Sequence, residues 1–266
     1  MEKNTGVKMN LIRSFILAIL LIMIAQTIKG ETYFEPINPR LNVSPAQVQY
    51  SSLALGIVGT ALVIIRPSIS RPLVYIPEID KKHNFDMPSW AYNVGDKGAK
   101  WIVGVPYLYY LALRPKYSWE KAFVYSEALL MMHGSVTITK YSFGRKRPGG
   151  GNNLSFPSGH TAQAFTAASW IATDLYRTYK DTPMKYVYAT VPYAFAGFVG
   201  ASRIGGKKHY FTDVLVGGSV GTLIGYAMYS FHFDESGKLR KQHMPLVMLN
   251  ADPLSSSYML SATLSF

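Results

Sequence analysis

Long apolar stretches separated by short polar breaks run through most of the chain. Each stretch is longer than a typical strand, and glycine, proline or charged residues stand in most of the breaks. The pattern therefore predicts an all-α fold, a helical bundle of about six helices that occupies residues 48–233. The predicted helices are Gln49–Ile65, Lys100–Leu113, Ser118–Lys140, Gly159–Tyr179, Lys185–Gly200 and Val214–Phe231.

Two proline-bearing segments flank the first predicted helix. Residues 31–47 are polar and contain three prolines, so they are predicted to be an irregular mature N-terminus. The stretch Arg66–Gly98 contains four prolines and several charged residues, and it is predicted to be a loop.

The first thirty residues combine a basic start with an apolar run. Lys3, Lys8 and Arg13 precede the run Phe15–Ala25. This order is typical of a secretory signal peptide, and the run is shorter than a membrane span requires. We expect residues 1–30 to be a signal peptide, with an uncleaved N-terminal anchor as the alternative. Export would place the protein on the periplasmic side of a bacterial membrane, as an integral or a peripheral protein.

The composition changes again in the C-terminal tail, residues 234–266. The tail contains two short β-like runs, Leu246–Leu249 and Tyr258–Phe266. In the second run, larger apolar residues alternate with other residues at the period of a half-buried strand. The tail is therefore predicted to be a short C-terminal β-hairpin packed on the bundle.

The overall composition narrows the classes of function. The chain has no cysteine, which excludes disulfides, thiolate metal sites and a catalytic thiol. Its formal net charge of +12 favours anionic partners such as phosphates or acidic lipid head groups. The basic residues are scattered between apolar runs, so nucleic-acid binding is not expected. Hydrophobic residues make up 48% of the chain, and we expect membrane association, with a soluble protein as the alternative because several runs are short.

The first of three polar clusters lies where the third predicted helix ends. It reads Lys140-Tyr-Ser-Phe-Gly-Arg-Lys-Arg147-Pro148. Lysine supplies a point charge and arginine a planar fork, so Lys140 and Arg147 together can hold a tetrahedral oxyanion from two sides. Taken alone, such a cluster is more often a solvated basic loop.

The second cluster, Phe156-Pro157-Ser158-Gly159-His160, stands immediately before the fourth predicted helix. Ser158 has the chemistry of a helix N-cap, and Gly159 lets an anion approach the backbone closely. The N–H groups at a helix start bind oxyanions readily, and His160 would stand beside a bound phosphate. Taken alone, these residues form a capping turn at least as often as an active site.

The third cluster is Ser202-Arg203, with His209 and Asp213 downstream. If His209 opens the sixth helix, Asp213 lies four residues on and shares its face. A carboxylate there can hydrogen-bond the imidazole, fix its tautomer and stabilise the charge that develops during attack. Alone, this pair is weak evidence, because polar pairs at this spacing are common on helix surfaces.

The three clusters, in this order, resemble the signature of the type 2 phosphatidic acid phosphatase superfamily. That superfamily also holds bacterial class A acid phosphatases and vanadium haloperoxidases. The elements Lys-x6-Arg-Pro, Pro-Ser-Gly-His and Ser-Arg-x5-His-x3-Asp are all present. The resemblance is strongest over residues 119–232.

This resemblance implies a role for each residue of the clusters. His209 is the nucleophile and forms a phosphohistidine intermediate, Asp213 orients and activates it, and His160 is the general acid. The substrate phosphate would be held by the remaining members, Lys140, Arg147, Ser158, Gly159 and Arg203. The implied chemistry requires no metal and no cofactor.

The function implied by the resemblance is that of a metal-independent phosphohydrolase that cleaves phosphomonoesters or pyrophosphates. The expected substrates are lipid-linked, such as phosphatidic acid, an isoprenyl pyrophosphate or the phosphate of lipid A. Two alternatives stay open: a soluble periplasmic acid phosphatase of broad specificity, and a vanadate-dependent haloperoxidase with His209 as the axial ligand. The sequence does not indicate an oligomeric state.

Overall fold

The computed structural model describes residues 45–65, 86–240, 248–250 and 261–263. Within these residues the fold is all-α, as predicted, and contains six helices. They are α1 (Pro45–Ile65), α2 (Ser89–Leu113), α3 (Ser118–Phe143), α4 (Gly159–Thr178), α5 (Met184–Gly205) and α6 (Phe211–His232). The predicted signal peptide, most of the irregular N-terminus and most of the predicted loop 66–98 lie outside the described residues. Residues 52–239 form one compact unit.

Two short strands follow the helices along the chain. β1 (Met248–Asn250) pairs antiparallel with β2 (Ser261–Thr263), and Leu249 lies opposite Ala262. Both strands overlap the β-like runs of the predicted tail. The pairing agrees with the predicted hairpin, although each strand is only three residues long.

The second helix begins earlier than predicted. α2 starts at Ser89, inside the stretch that was expected to be a loop, so the predicted end of that loop is wrong. Glycine weakens a helix in isolation, but Gly95 and Gly98 lie on the packed face of α2. A Cβ atom on Gly95 would clash with the Ser202 side chain, and one on Gly98 would stand 2.8 Å from the Phe195 ring. These glycines therefore serve close packing against α5.

The fifth helix is also longer than predicted. α5 ends at Gly205 rather than at Gly200, so Ser202 and Arg203 belong to the helix. The buried Ser202 hydroxyl donates to the carbonyl of Val199 (2.7 Å). Because the helix continues here, Arg203 is presented by a regular backbone next to α2.

Helix α4 packs against α2, α3, α5 and α6, and its crossing with α6 is very close. Small residues on one face of α6 make this approach possible. A Cβ atom on Gly217 would stand 2.6 Å from the carbonyl oxygen of Ser158, and one on Gly221 would clash with the carbonyl of Ala162. The crossing therefore fixes the first turn of α4 against the first half of α6.

A buried charge pair lies at the far end of the bundle. Lys121 Nζ, on the first turn of α3, lies 2.6 Å from Asp174 Oδ1 on α4. The Asp174 carboxylate also accepts hydrogen bonds from the hydroxyl groups of Tyr110 (2.9 Å) and Tyr229 (2.6 Å). Both of its oxygens therefore have donors, and the cluster ties α2, α3, α4 and α6 together.

We predict that Gly221→Ala destabilises the fold by about 1–3 kcal/mol, because the added methyl group forces the crossing of α4 and α6 apart. The matched control is Gly197→Ala on α5, where an added Cβ meets no atom of the described residues within 4 Å and improves helix propensity. Denaturant unfolding in detergent measures the free energy of unfolding of both variants. Equal stability of the two variants would contradict the close crossing.

Candidate active site

The ends of α3 and α5 and the starts of α4 and α6 meet at one end of the bundle. The backbone N–H of Ser158 donates to the carbonyl of Asp213 (2.9 Å), which joins the starts of α4 and α6. The N–H of Gly149 donates to the carbonyl of Lys207 (2.9 Å), which joins the segments that follow α3 and α5. All eight predicted site residues lie on these helix ends or on the segments that join them: Lys140, Arg147, Ser158, Gly159, His160, Arg203, His209 and Asp213.

Asp213 is fully buried and is held by donors on both of its oxygens. Arg145 donates to Oδ1 (2.7 Å), whereas the Ser155 hydroxyl (2.5 Å) and the backbone N–H of Tyr210 (2.9 Å) donate to Oδ2. The Arg145 guanidinium also donates to the Thr212 hydroxyl (2.8 Å) and lies over the Tyr210 ring. The carboxylate is therefore fixed in position and paired with a buried cation.

The sequence patterns did not single out Arg145 or Ser155. Arg145 stands between the two basic residues of the first cluster, and Ser155 stands just before the second cluster. A backbone hydrogen bond from Ser155 to Arg145 (2.9 Å) brings them to the same side of Asp213. Neither residue belongs to the family signature. Their closeness in sequence to the clusters was the feature that could have marked them as candidate site residues.

His209 lies beside Asp213, but the local structure differs from the prediction. α6 begins at Phe211, three residues before the predicted start, and His209 lies just before it and does not open the helix. Asp213 instead accepts the N–H of Tyr210 at the start of the helix, and this turn brings the imidazole towards the carboxylate. The Nδ1 atom of His209 lies 3.6 Å from Asp213 Oδ2, an electrostatic contact that is longer than a hydrogen bond.

The His209 imidazole is almost completely buried. Burial is the main cause that lowers its pKa to about 4. Asp213 opposes this shift, whereas the cations Lys140 and Arg147 add to it. The imidazole is therefore neutral at pH 7, which is the state that a nucleophile requires.

The two cations of the first cluster lie close together. Lys140 Nζ donates to the carbonyl oxygens of Leu154 (2.9 Å) and Pro157 (2.5 Å). Arg147 Nε donates to Asn152 Oδ1 (2.8 Å). Burial and, to a smaller extent, the positive charge of Arg147 lower the pKa of Lys140 to about 7. The last turn of α3 and the segment after it thus hold two basic groups that repel each other when both are charged.

Asp96 of α2 links the second and third clusters. Its carboxylate forms an ion pair with Arg203, and its Oδ1 atom lies 3.8 Å from His160 Nε2. The pKa of His160 is lowered to about 4, mainly by burial and then by the positive charge of Arg203, whereas Asp96 opposes this shift. Asp96 was missed by the sequence patterns because it fell within the predicted loop.

Ser158 and Gly159 form the start of α4. The buried Ser158 hydroxyl accepts a hydrogen bond from the Thr161 hydroxyl (2.8 Å), so its side chain does not cap the backbone as its sequence position suggested. A Cβ atom on Gly159 would stand 3.5 Å from Lys140 Cε, which is an ordinary contact. Packing therefore does not demand glycine at this position, and a bare backbone leaves the helix start open to an anion.

Comparison with known proteins assigns the domain that carries this site. The family model of the PAP2 superfamily matches residues 109–236. These residues form a PAP2 superfamily domain. The resemblance to the type 2 phosphatidic acid phosphatase superfamily is thereby confirmed.

Two curated proteins are similar to part of the chain. Over 114 residues, 42% of the chain, the sequence is 43% identical to the lipid A 1-phosphatase of Porphyromonas gingivalis. Over 81 residues, 28% of the chain, it is 35% identical to the probable diacylglycerol pyrophosphate phosphatase 1 of Schizosaccharomyces pombe. These matches span 24% and 29%, respectively, of the lengths of the two proteins.

A solved structure is also similar to the chain. It is a crystal structure of a transmembrane PAP2 type phosphatidylglycerolphosphate phosphatase from Bacillus subtilis. The match covers 71% of this chain and 95% of that one, at 19% sequence identity and a TM-score of 0.43.

A cavity of about 950 Å³ opens beside the clusters of the PAP2 domain. One end is bounded by Lys140, Gly159 and His160. The cavity then follows α3, whose apolar lining residues are Leu129, Leu130, Met132 and Val136. Tyr107 of α2 and Val63 of α1 also line the cavity. A space that joins a cationic end to an apolar wall suits an amphiphilic molecule.

Much of the helical surface in and around the PAP2 domain is apolar. Two helical stretches among the described residues, Gln47–Ile65 and Phe211–His232, are long and apolar enough to cross a membrane. Each of them has only 33% of its most apolar stretch buried. Trp90, Trp101 and Trp119 are each about two-thirds exposed. Exposed apolar side chains in this number are typical of a surface that meets lipid or another protein.

We predict that Arg145→Met destabilises the PAP2 domain by about 3–5 kcal/mol, because the buried Asp213 carboxylate loses its cation. Methionine keeps much of the side-chain length, so the change removes charge more than packing. The control is Lys207→Met, which breaks an exposed pair with Asp86 (3.1 Å) and is expected to cost less than about 1 kcal/mol. Denaturant midpoints at neutral pH measure both effects. Equal midpoints would show that Asp213 does not depend on Arg145.

Proposed function

We propose that the protein is a metal-independent lipid phosphatase that cleaves phosphomonoesters or pyrophosphates. The observation that carries this proposal is the cavity that runs from Lys140 and His160 to the apolar wall on α3. The names of the two curated relatives, both of which are phosphatases of lipids, support it. The substrate classes that fit are phosphatidic acid, an isoprenyl pyrophosphate and the phosphate of lipid A.

The charges at the site suit a phosphate group. Among the described side chains, its cations are Lys140, Arg145, Arg147 and Arg203, and its carboxylates are Asp96 and Asp213. Because the pKa of Lys140 is about 7, this residue is about half protonated at neutral pH, and the six groups leave between one and two excess positive charges when both histidines are neutral. A phosphate dianion would balance this excess and would relieve the repulsion among the cations. The start of α4 adds backbone N–H donors on the same side.

The proposed reaction begins with attack on phosphorus by His209 Nε2, because the other ring nitrogen, Nδ1, faces Asp213. The new N–P bond forms as the bond between phosphorus and the leaving oxygen breaks, and the electron pair departs with that oxygen. His160 donates a proton to the oxygen as it leaves. Water then attacks the phosphohistidine and gives its proton to His160, which releases inorganic phosphate and neutral His209.

The two histidines need opposite proton states once the substrate is bound. His209 is neutral above a pH of about 4, because its pKa lies there. His160 has a similarly low pKa, so it needs added negative charge nearby to hold a proton at neutral pH. A bound phosphate supplies that charge by offsetting Arg203 and Lys140, two of the cations that lower the pKa of His160. Burial is the larger cause of the low pKa and persists, so substrate binding raises the pKa of the general acid and favours its protonated form.

The proposed place of action is a membrane surface. The apolar helices α1 and α6 offer lipid-compatible faces, and the exposed tryptophans carry amphipathic rings that favour a membrane interface. A lipid could then enter the cavity with its phosphate at the cationic end. Export to the periplasmic side, which is expected from residues 1–30, belongs to the same proposal.

We predict that the purified protein releases inorganic phosphate from lipid phosphates without added metal. His209→Ala is expected to lower kcat by about a thousandfold or more, because the nucleophile is lost. The assay compares phosphatidic acid and diacylglycerol pyrophosphate in detergent with soluble glycerol 3-phosphate. Asp181→Ala, an exposed change in the turn between α4 and α5, is the control and is expected to keep full activity.

Three outcomes would contradict parts of this proposal. Wild-type turnover in His209→Ala would exclude this residue as the nucleophile. Equal activity on glycerol 3-phosphate and on the lipids would favour a soluble acid phosphatase of broad specificity. Bromide peroxidation in the presence of vanadate, without phosphate release, would favour a haloperoxidase.

We also predict that Leu129→Trp lowers kcat/KM for a long-chain phosphatidic acid about 10- to 100-fold. The larger ring would fill the apolar part of the cavity, and each methylene kept out of it loses about 0.8 kcal/mol of burial. Turnover of glycerol 3-phosphate should change little, because this substrate does not extend to the apolar wall. Leu215→Trp, at an exposed position of α6, is the matched control. Equal losses on both substrates would mean that the cavity does not hold the lipid tail.

A further inference from the structure

We propose that Asp96 is a positioning residue for the general acid, orienting the His160 imidazole by electrostatic attraction and keeping a negative charge beside it. This inference rests on the proposed phosphatase function. It concerns a residue that lies outside the three sequence clusters and outside the matched PAP2 domain.

The Asp96 carboxylate bridges three helices at the edge of the site. It stands on α2, its Oδ1 atom lies 3.8 Å from His160 Nε2 on α4, and the same atom pairs with Arg203 on α5. Its side chain is 37% exposed, whereas the carboxylate of Asp174 in the far cluster is fully buried. Asp96 is therefore an accessible charge at the mouth of the site, in contrast to the structural carboxylate at the far end.

Helix packing fixes the place of this carboxylate. The preceding residue, Gly95, is so close to Ser202 that a Cβ atom would clash, and Gly98 packs against the Phe195 ring. These contacts hold the turn that carries Asp96 directly against α5. The carboxylate is thus presented by a packed helix, which can orient a neighbouring side chain more firmly than a loop can.

Charged groups on three helices face the His160 imidazole. They are Arg203 of α5, Lys140 of α3, and both Asp96 and Lys100 of α2. The three cations disfavour a proton on the imidazole, and Asp96 is the one anion among these four groups. A general acid has to hold its proton until the leaving oxygen takes it. Asp96 therefore supplies negative charge from the protein itself, to which the bound phosphate adds.

The test compares two soluble substrates that differ in leaving group, n-hexyl phosphate and p-nitrophenyl phosphate. An alkoxide is strongly basic and needs a proton as it leaves, whereas p-nitrophenolate leaves readily without one. We expect Asp96→Asn to lower kcat for hexyl phosphate about 10- to 100-fold and to change kcat for p-nitrophenyl phosphate little. His160→Ala should show the same preference with a larger loss, and the double variant should be no slower than His160→Ala.

One further variant and a pH profile separate the effect of the charge of residue 96 from the effect of its shape. Asp96→Glu keeps the charge and should restore most of the turnover of hexyl phosphate. In the pH profile of kcat, Asp96→Asn should move the basic limb to lower pH, because removal of the anion lowers the pKa of His160. Asp181→Asn is the matched control and should leave the activity on both substrates and the pH profile unchanged.

Equal losses on the two substrates in Asp96→Asn, with no recovery in Asp96→Glu, would overturn the inference and assign the residue a structural role. A lower KM on both substrates with kcat unchanged would also overturn it, because Asp96 would then compete with phosphate for Arg203. Failure of the wild-type protein to release phosphate from phosphatidic acid as well as from both soluble substrates would instead contradict the proposed function.

Discussion

The arrangement of the site depends on one buried carboxylate. An unpaired charge in the place of Asp213 would cost about 3–5 kcal/mol, so the chain has to bring donors to it. Arg145 and Ser155 reach its side chain from the segment before α4, and the backbone N–H of Ser158 reaches its carbonyl. A single residue at the start of α6 therefore holds both the loop with the first cluster and the turn with the second. His209 precedes the same helix, and its Nδ1 atom lies 3.6 Å from this carboxylate.

Close packing of the helices is the condition for this arrangement. The hydrogen bond between Ser158 and Asp213 requires the start of α4 to lie against α6, and Gly217 leaves room for the Ser158 carbonyl there. Gly95 likewise allows α2 to pack closely against α5, and this packing places Asp96 beside Arg203. The polar contacts of the site therefore depend on glycine residues, which let the helices pack closely.

The sequence could predict the helices and the cluster positions, because apolar runs with short breaks delimit the helix ends on which the clusters stand. The start of α2 could not be predicted in this way, since Gly95 weakens a helix until α5 is packed against it. Asp96 was therefore not recognised as a candidate site residue, because it lay in the stretch that was predicted to be a loop. Arg145 could not be told from Lys146, because both are basic loop residues; in the fold Arg145 is buried and Lys146 is exposed, and the position of Asp213 decides between them.

The bundle holds two clusters of charged side chains, and the difference between them explains which one can take a ligand. At the far end, Lys121 forms an ion pair with Asp174, so the two charges balance within the protein. The hydroxyl groups of Tyr110 and Tyr229 donate further hydrogen bonds to the Asp174 carboxylate. At the site, the cations outnumber the carboxylates, and their mutual repulsion persists in the fold until an anion arrives. Lys140, one of these cations, also lines the cavity along α3. A phosphate bound beside Lys140 could therefore carry an attached hydrocarbon chain into the cavity, which is the physical basis of the proposed preference for an amphiphile over a free anion.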